Sequence, residues 1–285
     1  MQSERYRPWH TLLAIAAMTA LGAHNAVMEL WPGLQVGMIQ WTQANRIAAL
    51  VQWALPVMVM LAGSIFLAPV RPCSLRTLWR HMIPAATLSC VLWWCAAAVV
   101  CLQKNYPQEL DLSTYMHCLS QVLDAPYNIG YCQMLVSMFL LYPLLWRIVE
   151  SDSTTRYCLA VLFVINLAFP LIRQSTYTAN VTLFTDQLNW GFFSAWAFYL
   201  LLGAYLTRHI PVYGIRLAVY CLGIISTGLI PALTSWRTES TIGFCADYQG
   251  MLSPLTACQA TAIFLAAASL GRRGHFRRLP RVKGL

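Results

Sequence analysis

Eight uninterrupted apolar stretches constrain this chain more than any other feature. They run over roughly residues 10 to 31, 48 to 70, 82 to 102, 127 to 149, 157 to 172, 188 to 207, 214 to 235 and 251 to 270, near the ~20 residues a helix needs to cross hydrocarbon. The runs are continuous rather than alternating, which excludes a transmembrane β-barrel. Of the 285 residues 58% are apolar and 10% charged, against about 25% charged in an ordinary soluble domain. Inside lipid each backbone N–H and C=O must find its partner within the segment, so the expected fold is all-α, a polytopic bundle of about eight transmembrane helices. The stretch from Tyr157 is the shortest, and Pro170 predicts a stop or kink near its end. The connections left over are short, so any chemistry has to sit between helices or at their ends.

Charge placement orients the bundle, because Lys and Arg concentrate on the cytoplasmic side of short loops. With the N-terminus cytoplasmic, that side holds Arg5, Arg7, Arg71, Arg76, Arg80, Arg147, Arg156, Arg208, Arg216, Arg272, Arg273, Arg277, Arg278, Arg281 and Lys283. The other side keeps Arg46, Lys104, Arg173 and Arg237, together with most of the acids: Glu29, Glu109, Asp111, Asp124, Asp186, Glu239 and Asp247. An odd number of crossings would invert every later loop, so both termini are expected to be cytoplasmic. The organisation is then a transmembrane region over 1–271 and a basic cytoplasmic tail over 272–285. The net charge of +9 reflects topology and attraction to anionic membrane lipid. No helix-turn-helix, zinc-finger or aromatic-basic pattern points to nucleic acid. The first stretch carries His24 and Asn25 where a signal peptide would need a small-residue cleavage site.

The ten cysteines include no C-x-x-C pair, so zinc and thioredoxin-like chemistry have no support. Most, including Cys90, Cys95, Cys132, Cys221 and Cys258, fall within apolar stretches and act there as small hydrophobes. Cys118 and Cys245 lie in expected outer loops and are the pair available for a disulfide.

Polar groups at depth are expensive unless they face the bundle interior. They are His24 and Asn25 in the first stretch, Gln52 in the second, Asn128 and Gln133 at the start of the fourth, Asn166 in the fifth, Asn189 at the start of the sixth and Gln259 in the eighth. A neutral imidazole takes a proton near pH 7, which makes His24 the natural general base for activating a hydroxyl. Its plainer role is a hydrogen bond to a neighbouring helix. Haem ligation needs a second deep histidine, and His10 and His81 fall near stretch ends. In the connection after the second stretch, Arg76 and Arg80 stand four apart at the start of a helical run and would share one face. Such a pair can clamp a phosphorylated ligand through charge-assisted bonds; its plainer role is anchoring at the anionic surface.

Several segments, taken in order, resemble the acyltransferase 3 family of integral membrane O-acyltransferases. WALPVMVMLAGSIFLAP from Trp53 to Pro69, followed by SLRTLWRHMIP, is similar to that family's second span and first cytoplasmic loop, with Pro56 and Gly63 keeping the spacing. YNIGYCQMLVSMFLLYPLLW, Tyr127 to Trp146, resembles a leucine-rich span ending in proline, matched by Pro143; FSAWAFYLLLGAYL, Phe193 to Leu206, resembles a later aromatic, leucine and glycine pattern. The resemblance implies a bacterial inner-membrane enzyme that passes an acyl group, commonly acetyl, from acyl-CoA to a hydroxyl of a surface glycan or its lipid-linked precursor, with no permanently bound cofactor or metal. It puts His24 at the family's first-span histidine and Arg76 and Arg80 near the loop that meets CoA phosphates. Asn25, Gln52 and Asn128 are then the candidates for holding the acceptor.

The sequence departs from the family pattern at charged positions. Leu13 stands where an arginine precedes the histidine, Gln52 where an arginine precedes the valine-proline step, Ala62 for a serine and Asn128 for a histidine. These changes leave a second expectation open, a non-catalytic relative or transporter component for lipid-linked or acylated sugars. A third, an anchor for a peripheral enzyme, rests on the positive cytoplasmic surface alone.

Overall fold

A computed structural model describes residues 8–67, 75–105, 111–124, 129–168, 195–241, 247–251 and 253–272. All regular elements among the described residues are helical. Four helices are long and apolar enough to cross a bilayer, Pro8–Leu30, Ile39–Phe66, Tyr213–Ser240 and Pro254–Gly271, and the chain is an integral membrane protein. The remaining expected crossings are helical wherever they are described. The chain divides into two compact units, one formed by Met1–Val70 with Arg147–Leu285 and the other by Arg71–Trp146.

In the first unit, α1 (Pro8–Leu30) runs into a 3-10 turn, Trp31–Gly33, where Pro32 ends the helical ladder. Gly37, at φ 87°, supplies the left-handed residue that the following bend requires. The chain then returns through α2 (Ile39–Val51) and α3 (Ala54–Phe66). The indole rings of Trp31 and Trp41, 5.7 Å apart, close this hairpin over Ala48. The second crossing therefore begins about nine residues before the hydropathy boundary at 48, because Asn45, polar in sequence, is buried and bonded within the bundle. Pro56 explains the break between α2 and α3. It lacks an N–H and its ring crowds the carbonyl four residues back, which belongs to Gln52, and the helical ladder restarts with Val57 N–H to Trp53 O at 3.0 Å.

The unit is completed by α7 (Asp152–Phe163, continued as a wider π turn over Val164–Ala168), α8 (Ala195–Arg208), α9 (Tyr213–Thr241) and α10 (Pro254–Arg272). The tightest seam joins α3 to α8. A Cβ on Gly63 would overlap the backbone of Leu200, and a Cβ on Gly203 would overlap that of Met60. Small residues of this kind let helices approach closely in lipid, where packing rather than water drives association. Arg208, at the end of α8, donates to Leu67 O at 2.8 Å and Val149 O at 2.6 Å. One guanidinium thereby satisfies carbonyls at two helix C-termini, where positive charge is favoured.

The second unit holds a helical turn and π turn over residues 75–82 that lead into α4 (Ile83–Asn105), then α5 (Leu112–Asp124) and most of α6 (Ile129–Glu150). The stretch from Gln103 to Pro126, expected as a loop, therefore contains a helix. Asp111 starts it, with Oδ1 accepting from Leu112 N at 2.7 Å and Oδ2 from the Ser113 hydroxyl at 2.6 Å.

Candidate functional site

The packing of α1 sets the level of every polar group in the first unit. Near its start, His10 Nε2 lies 3.1 Å from Ser64 Oγ on α3, and Trp9 packs on Gly271 and on Phe264, ring centroids 5.7 Å apart, on α10. The helix runs antiparallel to α3 from that point. At 1.5 Å per residue, His24 lies about 21 Å beyond His10 and Gln52 about 18 Å before Ser64, so the two share a level. On α10, Thr256 is as many residues from Gly271 as His24 is from Trp9, which brings it to the same level.

At this level polar atoms are shielded from solvent without a partner inside the protein. His24 is half-buried, and its Nδ1 is covered and unbonded. Gln52 is 5% exposed, and neither its Nε2 nor its Oε1 is bonded. Thr256 Oγ1 and Ser253 Oγ, both on buried side chains of the α10 start, are likewise unbonded. A buried amide with no partner costs about 1–3 kcal/mol, and native structures contain few such groups. Trp9 and Trp41 Nε1 are also shielded without a partner, but an indole N–H only donates, whereas the groups at this level can also accept.

Around this level the other amides are engaged. Gln259 donates to Ala49 O and Thr227 Oγ1, each at 3.0 Å, tying α10 to α2 and α9. Asn45 donates to Pro231 O and Ser235 Oγ, both at 2.9 Å, and accepts from Gln249 Nε2 at 2.6 Å. Pro231 and Pro56 each lack an N–H, and the flanking Asn45, Gln52 and Gln259 stand beside the interrupted ladders. The arrangement is rigid on the Gln259 side and unpaired on the Gln52 side. Gln259 Oε1 and Gln249 Oε1 remain unbonded, adding acceptors to the hydroxyls of Ser253 and Thr256.

Of the residues the sequence singled out, His24, Asn25 and Gln52 lie in the first unit, and Asn25 is half-buried beside His24. Arg76 and Arg80 belong to the second unit, in the turns ahead of α4, and both side chains are exposed. Asn128 lies outside the described residues. Asn166, on the π turn, is buried and donates to Leu162 O at 3.1 Å, so its role there is local. Cys118 is not in an outer loop: it is buried on α5 against Cys101 of α4, which removes it from an exposed pairing with Cys245, itself outside the described residues. The sequence reading missed Asn45, Gln249, Ser253 and Thr256, whose signal is polar side chains at stretch ends spaced to face the bundle. Among the described residues no group of His, Cys, Asp or Glu is arranged to hold a metal ion.

Compared with known protein families, curated proteins and solved structures, the chain matches none.

Proposed function

We propose that this protein is a multi-pass O-acyltransferase of the bacterial inner membrane, with eight crossings and both termini cytoplasmic. In this reading it moves an acyl group, acetyl in the simplest case, from acyl-CoA to a hydroxyl of a surface glycan or its lipid-linked precursor. The observation that carries the reading is the shielded, unbonded His24 Nδ1 at about the level of the unbonded Gln52 amide. An imidazole nitrogen accepts the acceptor's hydroxyl proton while the freed oxygen attacks the thioester carbonyl. The C–S bond then breaks, the proton passes to the departing CoA thiolate, and the acceptor carries the new ester. Gln52 offers both a donor and an acceptor to a sugar hydroxyl, and Thr256 and Ser253 offer more. The family resemblance alone assigns Asn25 and Asn128 to the acceptor and the exposed Arg76 and Arg80 to the CoA phosphates. Resemblance to the acyltransferase 3 family in segment order supports the reading, and Leu13, Gln52 and Asn128 remain departures from it.

The test is purified protein incubated with labelled acetyl-CoA and membrane glycolipid, alongside surface polysaccharide from a deletion strain analysed for ester-linked acetyl. Label in the glycan fraction that is lost in His24→Ala supports the reading. Unchanged ester content in the deletion strain, with no turnover in vitro, overturns it.

A second reading, a non-catalytic relative or transport component for acylated or lipid-linked sugars, draws on the bonded amides. Asn45 on α2, Gln249 on the 3-10 turn Asp247–Gln249 and Gln259 on α10 bring polar side chains into buried positions, as passage of a polar ligand requires. Glycolipid binding without thioester cleavage would favour it.

A further inference from the structure

In the second unit two thiols meet in an apolar cluster. Cys101 on α4 and Cys118 on α5 are 1% and 0% exposed and form one cluster with Ala98 and Leu102, over which Trp94, Tyr115 and Leu119 pack. Two cross-helix bonds fix the seam: Trp94 Nε1 donates to Leu119 O at 2.9 Å, and the Tyr115 hydroxyl donates to Cys95 O at 3.4 Å. The Cys118 thiol lies within hydrogen-bonding reach of the Cys101 sulfur. Neither residue has a role in the acyl-transfer reading, and the two are brought together on facing helices.

We propose that Cys101 and Cys118 form a disulfide in the cell, locking α5 onto α4. The inference rests on the orientation given under the proposed function, which puts the α4 to α5 connection on the acid-rich, non-cytoplasmic face where disulfides persist. Each thiol gives up a proton and the two sulfurs together give up two electrons. The electron acceptor is a dithiol oxidase of that compartment, whose own disulfide is reduced to two thiols by exchange through a mixed disulfide. The oxidation precedes final packing of α5, because both sulfurs are sealed once Trp94 and Tyr115 are in place. The pairing replaces the Cys118–Cys245 bridge that sequence position suggests.

The test uses the full chain in membranes from acid-quenched cells, denatured in SDS and treated with a PEG-maleimide, with and without prior reduction. Of the ten cysteines, two should be protected until reductant is added, and digestion should yield a peptide pair joining Cys101 to Cys118 with the mass of two hydrogens missing. Cys118→Ser should remove the difference between reduced and unreduced samples, as should Cys101→Ser, while Cys245→Ser leaves it in place. Equal labelling of the wild type with and without reductant overturns the proposal, and so does protection that survives Cys101→Ser. A separate arm reads the orientation: Asp111→Cys, at the exposed start of α5, is treated in intact cells with a maleimide that does not cross the inner membrane. Labelling there with no disulfide sinks the disulfide alone; absence of labelling there, with a disulfide present or not, sinks the orientation.

Discussion

The two ends of α1 contrast in how they treat polar groups. At the start, His10 is buried beside Trp9 and bonded to Ser64 on α3, whose hydroxyl also donates to Leu61 O at 2.9 Å. Two-thirds of the way along, His24 is half-buried, with its Nδ1 shielded and unbonded. The same residue type is used once as a clamp and once as an open functional group. In a low-dielectric interior a satisfied polar contact specifies packing, while an unsatisfied one costs stability. Under the proposed function, the unsatisfied groups around His24 are the ones held for a ligand.

Replacing each histidine by alanine breaks this comparison most sharply. His24→Ala should lower acyl transfer by at least about 100-fold, the range of general acid–base assistance, with thermal stability in detergent unchanged. His10→Ala should do the reverse, costing about 1–3 kcal/mol through the lost buried bond while activity per folded molecule stays near wild type. Equal loss of activity in the two variants would erase the distinction. Next in size is the seam that holds the clamped end together. Gly63→Val forces a side chain into the Leu200 backbone, and overpacking of this sort costs about 1–3 kcal/mol or more. A lowered unfolding temperature and reduced monodisperse yield should report it, with Gly63→Ala milder than Gly63→Val.

The paired glutamines sharpen the contrast inside the site. Gln259→Leu leaves Ala49 O and Thr227 without their donor and should destabilise by about 1–3 kcal/mol. Gln52→Leu removes an amide that bonds to nothing in the protein, so stability should hold or rise while turnover or glycolipid binding falls. If Gln52→Leu destabilises as much as Gln259→Leu, Gln52 is part of the scaffold and the ligand layer shrinks to His24 and Thr256.

What the sequence disclosed follows from which signals are local. A run of apolar residues needs no partner to be read, so four of the stretches fall in helices long and apolar enough to cross a bilayer and the others are helical over their described residues, and His24 and Gln52 stood out as polar interruptions. Asn45 did not, because Arg46 beside it made the segment look like a loop, and its partners Pro231 and Ser235 lie far along the chain. Ser253 and Thr256 escaped for the same reason: a hydroxyl at a stretch end is ordinary until α1 is known to pass nearby. The α5 helix was hidden because it is amphipathic, with Tyr115, Cys118 and Leu119 turned to α4 and Leu112, Met116 and His117 exposed, and it never forms a continuous apolar run. The break at Gln52 was within reach, since a proline disrupts the carbonyl four residues earlier, and Pro56 stands four residues after Gln52.

The smallest expected effect carries the comparison out to the aqueous border, where a charged group at a helix start is fully bonded. The Ser113 hydroxyl, and after it the Leu112 N–H, hold the Asp111 carboxyl below the usual carboxylate range. A carboxylate depressed in the folded state contributes stability above its unfolded value, near 3.9, and loses it as the pH falls through the lower folded value. Protection of the first-turn amides of α5 against hydrogen exchange, corrected for intrinsic rate, should therefore be flat from neutral pH down to about 4 and decline below it. Asp111 is exposed, so the change should stay local and leave the unfolding temperature of the whole protein unmoved. In Asp111→Asn the decline should vanish and the first turn should be equally frayed at every pH. If protection instead falls across α4 and α5 together, the cap is coupled to the Cys101–Cys118 seam, and the hairpin opens as one unit from its charged end.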